Sequence, residues 1–290
     1  MAKKNIYQII TEQIIELLDK GEIPWRKPWV FTEHKNGKTG HVFNGINPLI
    51  LDTVASLYGY QSNKWVTFKQ MQALGGTFKE GQSKEYTLVV YWHLHFETDD
   101  DGKQTDRVAF ARPFYHREYN IDQIDWEDES IFDDDDDSPN EDTQVDLDEA
   151  LFESMADIKV KHGGGKAFYS PSKDYIGMPN PQQFTSDDEY YSTLYHELTH
   201  ATGHQDRLGR FEGDVAETRF GSQSYSFEEL IAEFGAAFLC ARTGIDDLRV
   251  LENSAAYIAS WKQRLTDNPK WWSKASSQAR KATEFILGES

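Results

Sequence analysis

The residues whose types and spacing can do chemistry are His196-Glu197-Leu198-Thr199-His200. Positions four apart on a helix share a face, so both imidazoles can ligate one ion, and Glu197 beside the first can take a proton from a metal-bound water. This H-E-x-x-H spacing is that of zinc peptidases. Two solvent-facing histidines on an exposed helix would be the bland alternative. It requires the motif to arise by coincidence in a chain with only nine histidines. The single cysteine, Cys240, removes a Cys-rich zinc ribbon and an intramolecular disulfide, so histidines and carboxylates must hold any metal.

A catalytic zinc takes three protein ligands and keeps one position for water. Continued to Gly203 and Asp206, the motif is metzincin-like with aspartate as third ligand. That arrangement needs a methionine turn downstream, whereas Met1, Met71, Met155 and Met178 all lie upstream. The gluzincin alternative takes a glutamate from the next helix, and Glu229 and Glu233 form an E-x-x-x-E pair on one helical face. In this reading Glu229 binds the ion and Glu233 orients a ligand imidazole from behind. Asp206 and His204 remain the alternatives to Glu229.

Two helices must position these groups. Ser186-Asp187-Asp188-Glu189 matches a capping box and predicts a helix to Gly203, and Ser226-Phe227-Glu228-Glu229 predicts a second from Ser226 through Arg242. A helix over 255–265, a break at Pro269 and a last helix through Ile286 complete this half. Strands are expected around Lys166 to Tyr169 and Asp174 to Pro179. The first half opens with an amphipathic helix carrying Ile6, Ile9, Ile10, Ile14, Leu17 and Leu18. A strand at Lys64 to Phe68, a short helix from Gln70, and strands at Tyr86 to Trp92 and Val108 to Tyr115 complete a small α+β unit.

The charge is uneven. The formal charge is −19, yet residues 1–120 carry 15 Lys and Arg against 14 Asp and Glu, while residues 121–150 carry 15 acidic groups and no Lys or Arg. The run Asp133 to Asp137 repels itself and reads as a solvated linker, with folding over a basic surface as the less economical reading. The chain is therefore divided into domains at 1–125 and 151–290, with an acidic linker at 126–150. No apolar run reaches the roughly 18 residues of a membrane span, and Glu12 and Glu16 interrupt the first helix where a signal peptide would be apolar. A cytoplasmic protein without a membrane partner is expected.

With the motif stand Tyr195 and the stretch from Phe227 through Glu233 to Leu239. Trp25-x-x-Pro28-Trp29, Asn44-Gly45-Ile46-Asn47, Trp65 to Gln70, Gly75-Gly76 and Ala201-Thr202-Gly203-His204 accompany them. Together these stretches resemble the ArdC family of plasmid antirestriction proteins. The resemblance implies an N-terminal domain that binds single-stranded DNA, also found on TraC-type primases, and a C-terminal zincin-like metallopeptidase domain. It implies protection of incoming conjugative plasmid DNA from host restriction, with a host restriction-related protein as a further partner. One zinc ion per chain, or another divalent metal such as manganese, is the expected cofactor.

Single-strand binders interleave aromatics on which bases stack with cations that track phosphates. Trp25, Trp29 and Trp65, each beside a cation in turn-rich sequence, are the expected stacking residues, with Arg26, Lys27, Lys64 and Lys69 for phosphates. The expected fold class is thus α+β in two domains, a small single-strand-binding domain and a gluzincin-type metallopeptidase domain.

Overall fold

The structure is a computed structural model that describes residues 4–25, 34–98, 104–132, 155, 157–211, 223–245 and 254–289. The chain forms two compact units, one of residues 1–17 and 33–135 and the other of residues 18–32 and 136–290.

Helix α1 (Ile6–Asp19), which belongs to the first unit up to Leu17, buries Ile10 and Ile14 from its apolar stripe. Strand β1 (Lys35–Asn36) runs parallel to β2 (Lys64–Thr67), and β2 pairs antiparallel with the end of β5 (Gln104–Asn120), which pairs with β4 (Thr87–Thr98). The order is β1-β2-β5-β4. Between β1 and β2 lies α2 (Asn47–Tyr58), and after β2 comes α3 (Phe68–Ala73), whose Thr67 and Gln70 form a capping box. Strands β3 (Gly76–Phe78) and β6 (Ile124–Trp126) make a second, two-stranded sheet.

At Leu88 and Val90 the open edge of β4 is closed by side-chain amides. Asn47 donates to Val90 O at 2.8 Å and accepts from Val90 N at 2.9 Å, and Gln13 does the same for Leu88 at 3.1 and 2.7 Å. Each amide stands in for a neighbouring strand, so the edge backbone of these two residues is satisfied without offering a template for further pairing.

In the second unit, β7 (Lys159–His162) lies parallel to β9 (Tyr175–Met178), and β8 (Phe168–Ser170) flanks β9 antiparallel on the other side, so β8 is an edge. Four α-helices follow among the described residues: α4 (Asp187–Ala201), α5 (Gln223–Thr243), α6 (Ser254–Asp267) and α7 (Trp271–Ile286). Ser186 caps α4 by accepting from Glu189 N, and three acidic residues in its first turn favour the positive end of the helix dipole. Helix α5 is buried nearly all round from Leu230 to Cys240, which a helix in the middle of a core requires.

Three expectations are corrected here. First, α5 starts at Gln223, so Ser226 to Glu229 lie inside the helix and Glu229 is not spent on a cap. Second, the linker begins later than residue 126. Trp126 lies in β6, and Phe132 is buried edge-to-face against it at 4.7 Å, so residues 126–132 belong to the first unit. Third, Trp25, Trp65 and Lys64 are core, not surface.

Trp25 belongs to the second unit, fully buried between Phe234 at 5.3 Å and Trp261 at 5.9 Å, with its indole N–H donating to Tyr257 OH. Trp65 is fully buried in the first unit and donates to His34 Nδ1 at 2.9 Å, and His34 Nε2 meets Asp52 at 2.7 Å. The buried Lys64 ammonium donates to the Phe132 carbonyl. A buried indole or ammonium keeps its place because its polar end is satisfied inside, and none of these three faces a ligand. Arg26, Lys27 and Trp29 lie outside the described residues, as does the acidic run.

Candidate metal centre

The metal motif occupies the last turns of α4, and α5 brings the third donor across from it. What lets the helices approach is Gly235. A Cβ there would lie 2.5 Å from Thr199 Oγ1 and closer still to its Cγ2, so only glycine permits this crossing. About 1.7 turns earlier on α5, Glu229 faces the two imidazoles: Oε2 is 3.6 Å from His196 Nε2 and Oε1 is 3.4 Å from His200 Nε2. The imidazole nitrogens are 3.2 Å apart. Donor atoms of His196, His200 and Glu229 all lie within 4.8 Å of one another, the spread expected of groups that converge on one small cation.

The charge balance fits a dication. Burial opposes protonation of His200, but hydrogen bonds to Glu228 and Glu229 and the charges of Glu229 and Glu197 override it and hold the imidazole up at about 10. Burial likewise penalises the Glu229 carboxylate, yet His196 and His200 hold it well below the usual range. Three carboxylates around two imidazoles favour positive charge between them, and where a cation takes the place of the proton on His200, two neutral imidazoles with one carboxylate are borderline donors that suit zinc or manganese.

A partner that sequence reasoning missed stands behind His200. Glu228 Oε1 lies 3.5 Å from His200 Nδ1, the nitrogen turned away from Glu229. Arg210 holds Glu228 in a fork, at 2.7 Å to Oε1 and 3.3 Å to Oε2, and also donates to Thr199 O and Thr202 Oγ1. The anchor of the following turn is built the same way: Arg207 donates to Ala201 O and pairs with Asp174, which accepts from Tyr169 OH. The signal for Glu228 was the Glu-Glu pair itself, but nothing local says which of two adjacent glutamates faces which nitrogen. Glu233 is buried one turn beyond Glu229. Asp206 is 78% exposed on the turn after α4, 3.5 Å from His204, and is not among the clustered donors.

The triad opens into a cleft of about 950 Å³ with Glu197 in its lining. Ala167, Phe168 and Tyr169 of the β8 edge form one wall, and Phe211, Phe227 and Ile231 give it an apolar character. An extended chain could add to this edge by backbone pairing beside the triad.

Comparison with known proteins agrees with this architecture. Residues 4–121 match the N-terminal domain of anti-restriction factor ArdC, and residues 147–278 match a zincin-like metallopeptidase. Crystal structures of the antirestriction ArdC protein from plasmid R388, metal-free and Mn(II)-bound, superpose with TM-score 0.69 at 32% and 31% identity, covering 99% of this chain and 98% of theirs. The chain belongs to the ArdC family. Further similar proteins are two DNA primases TraC of Escherichia coli, each 32% identical, and the protein y4eC of Sinorhizobium fredii (strain NBRC 101917 / NGR234), 30% identical over 97% of this chain and 91% of its own length. The chain spans 20% and 27% of the two primases' length. For this ArdC chain, the zincin-like domain and the Mn(II)-bound structure support a divalent metal. No helix among the described residues is long and apolar enough to cross a membrane.

Proposed function

We propose that this member of the ArdC family binds single-stranded DNA through its first unit, protects incoming conjugative plasmid DNA from host restriction in the cytoplasm, and holds one zinc or manganese ion per chain at His196, His200 and Glu229. One observation carries the DNA reading. The stretch matched by the ArdC N-terminal model, residues 4–121, is the one in which cations balance carboxylates, 14 against 14, in a chain of net −19. Of the cations in described sequence, Lys69 is exposed beside an exposed Phe68, in keeping with a phosphate contact.

For the second unit we propose a metallopeptidase-like site. A divalent ion, when bound, supplies Lewis acidity toward a carbonyl and a more acidic water. The chain's own residues do the rest: Glu197 accepts the water's proton, Glu228 and Glu233 support the ligand imidazoles, and the β8 edge holds an extended peptide against the cleft.

The test is Glu197→Gln. It should keep metal content, folding and single-strand binding while abolishing any peptide hydrolysis. In a conjugation assay into a restricting recipient the variant should protect as well as wild type, because shielding the strand needs no hydrolysis. A variant that folds and binds DNA normally but gives no protection would instead make proteolysis of a restriction-related host protein the active principle.

A further inference from the structure

The hairpin of β4 and β5 is longer than the sheet it belongs to. Strand β5 pairs with β2 only at Glu118 to Asn120, while β4 and β5 continue as a pair out to Thr98 and Gln104. From Trp92 to Glu97 and from Arg107 to Arg112 every described side chain is exposed, including Leu94 and Phe110, which is 58% exposed. A two-stranded ribbon gains little stability from such residues, so large rings held in water call for an occupant.

The register sorts the ribbon into two faces. Tyr91 opposes Phe114, His93 opposes Arg112 and His95 opposes Phe110, all on one face. These side chains form a column of near-parallel rings. His95 stacks on Phe110 at 4.2 Å and 15°, His93 on Phe114 at 4.3 Å and 20°, and Tyr91 on Phe114 at 5.5 Å and 20°. The exposed His41 continues the column beyond Tyr91 at 5.9 Å.

The ribbon's charge is as selective as its shape. Residues 86–96 and 107–117 contain three arginines and three histidines and no carboxylate, in a chain with 49 Asp and Glu, the ribbon's carboxylates Glu97 and Asp106 following only at its outer end. Rungs two residues apart along a strand lie ~6.8 Å apart, about twice the ~3.4 Å step along one strand of a duplex. Bases can meet successive rungs only if the strand is stretched and unpaired.

We infer that this face of the β4–β5 ribbon is where the single strand lies, its bases stacking along the column of Tyr91, His93, His95, Phe110 and Phe114 and a phosphate meeting Arg112. The inference rests on the single-strand reading above and replaces the buried Trp25 and Trp65 as the stacking platform. A second copy docked on the ribbon would not need the ring-bearing stretch to be free of carboxylates.

The test uses the full chain, an oligo(dT) probe and its duplex form. Phe110→Ala with His95→Ala should weaken oligo(dT) binding at least ~10-fold, and Arg112→Ala should lower the salt slope by about 0.7. Thermal unfolding should be unchanged, since these side chains are exposed. If the wild type does not bind oligo(dT), the single-strand reading itself fails. If the wild type binds and the ring variants bind equally well, only the ribbon assignment fails. Unchanged binding together with loss of a dimer in sedimentation would make the ribbon a contact between copies and overturn the inference.

Discussion

Substituting Gly235 by alanine should damage metal binding without touching a ligand. The new Cβ would sit 2.5 Å from Thr199 Oγ1 and 3.0 Å from Thr199 Cβ, whereas unstrained carbon contacts lie at ~3.5–4.0 Å. Roughly 1 Å must therefore be found between α4 and α5. Both residues are buried and flanked by packed helix, so the cost is the ~1–3 kcal/mol of an overpacked core. The displacement carries Glu229 away from His196 and His200, and metal sites tolerate only about 0.2 Å in ligand distance. Affinity measured by competition with a chelating dye should fall ~10–100-fold, in the range of a lost supporting interaction. Thr199→Ala removes the two nearest atoms and should restore most of the loss in the double variant, at the expense of the Thr199 hydroxyl's bond to Tyr195 O. A Gly235→Ala protein that binds metal as tightly as wild type, or a double variant no better than the single, would refute the close-crossing argument.

Other outcomes follow from the same geometry. Glu229→Ala should remove most metal from the purified protein while Asp206→Ala leaves it in place, and elemental analysis giving the reverse order would restore the metzincin-like ligand set. Arg210→Met leaves the part-buried Glu228 carboxylate with only His200 beside it and should cost ~1–3 kcal/mol in urea unfolding, with Glu228→Gln recovering part of it; an additive pair would argue against the fork. Glu118 is fully buried with one carboxylate oxygen unpartnered among the described residues, and burial pushes its carboxyl from 4.5 up to about 8 against a lowering bond from Tyr91. The folded unit keeps a proton the unfolded chain loses, so stability is fully present below about pH 4.5 and is lost as pH rises through about 8. At ~1.36 kcal/mol per unit this amounts to a few kcal/mol. Glu118→Gln should flatten that slope in unfolding midpoints taken at several pH values, and an unchanged slope would assign it elsewhere.

The convergence of His196, His200 and Glu229 was legible because its signals are local. A four-residue spacing on one helix and an E-x-x-x-E on the next need only helical periodicity, and Gly235 reports the crossing only once both helices are in place. Glu228 was missed because neighbouring residues differ by about 100° around a helix, and which faces the cleft depends on the crossing. Trp25 and Trp65 were misassigned because a cation in sequence says nothing about what lies above the ring. Trp65 is buried through His34 and Asp52, and Trp25 through Phe234 and Trp261, all distant in sequence. The outer part of β4 was missed because the expected strand stops at Trp92, where apolar alternation gives way to His93 and His95, although main-chain pairing continues to Thr98; on β5 the expected strand from Val108 already takes in Phe110 and Arg112.

The position of Trp25 also bears on the order in which the protein can form. Its hydrogen-bond partner Tyr257 follows 232 residues later, yet both belong to the second unit. At translation rates of ~5–20 residues per second, the indole leaves the ribosome roughly 10–45 s before that partner exists. Over this interval the chain up to Phe132 can complete the first unit, while residues 18–25 wait with an apolar ring uncovered. The metal-bearing half therefore closes late and around a segment made early, which makes the interval between the two a window for chaperone capture or misassociation of the nascent chain.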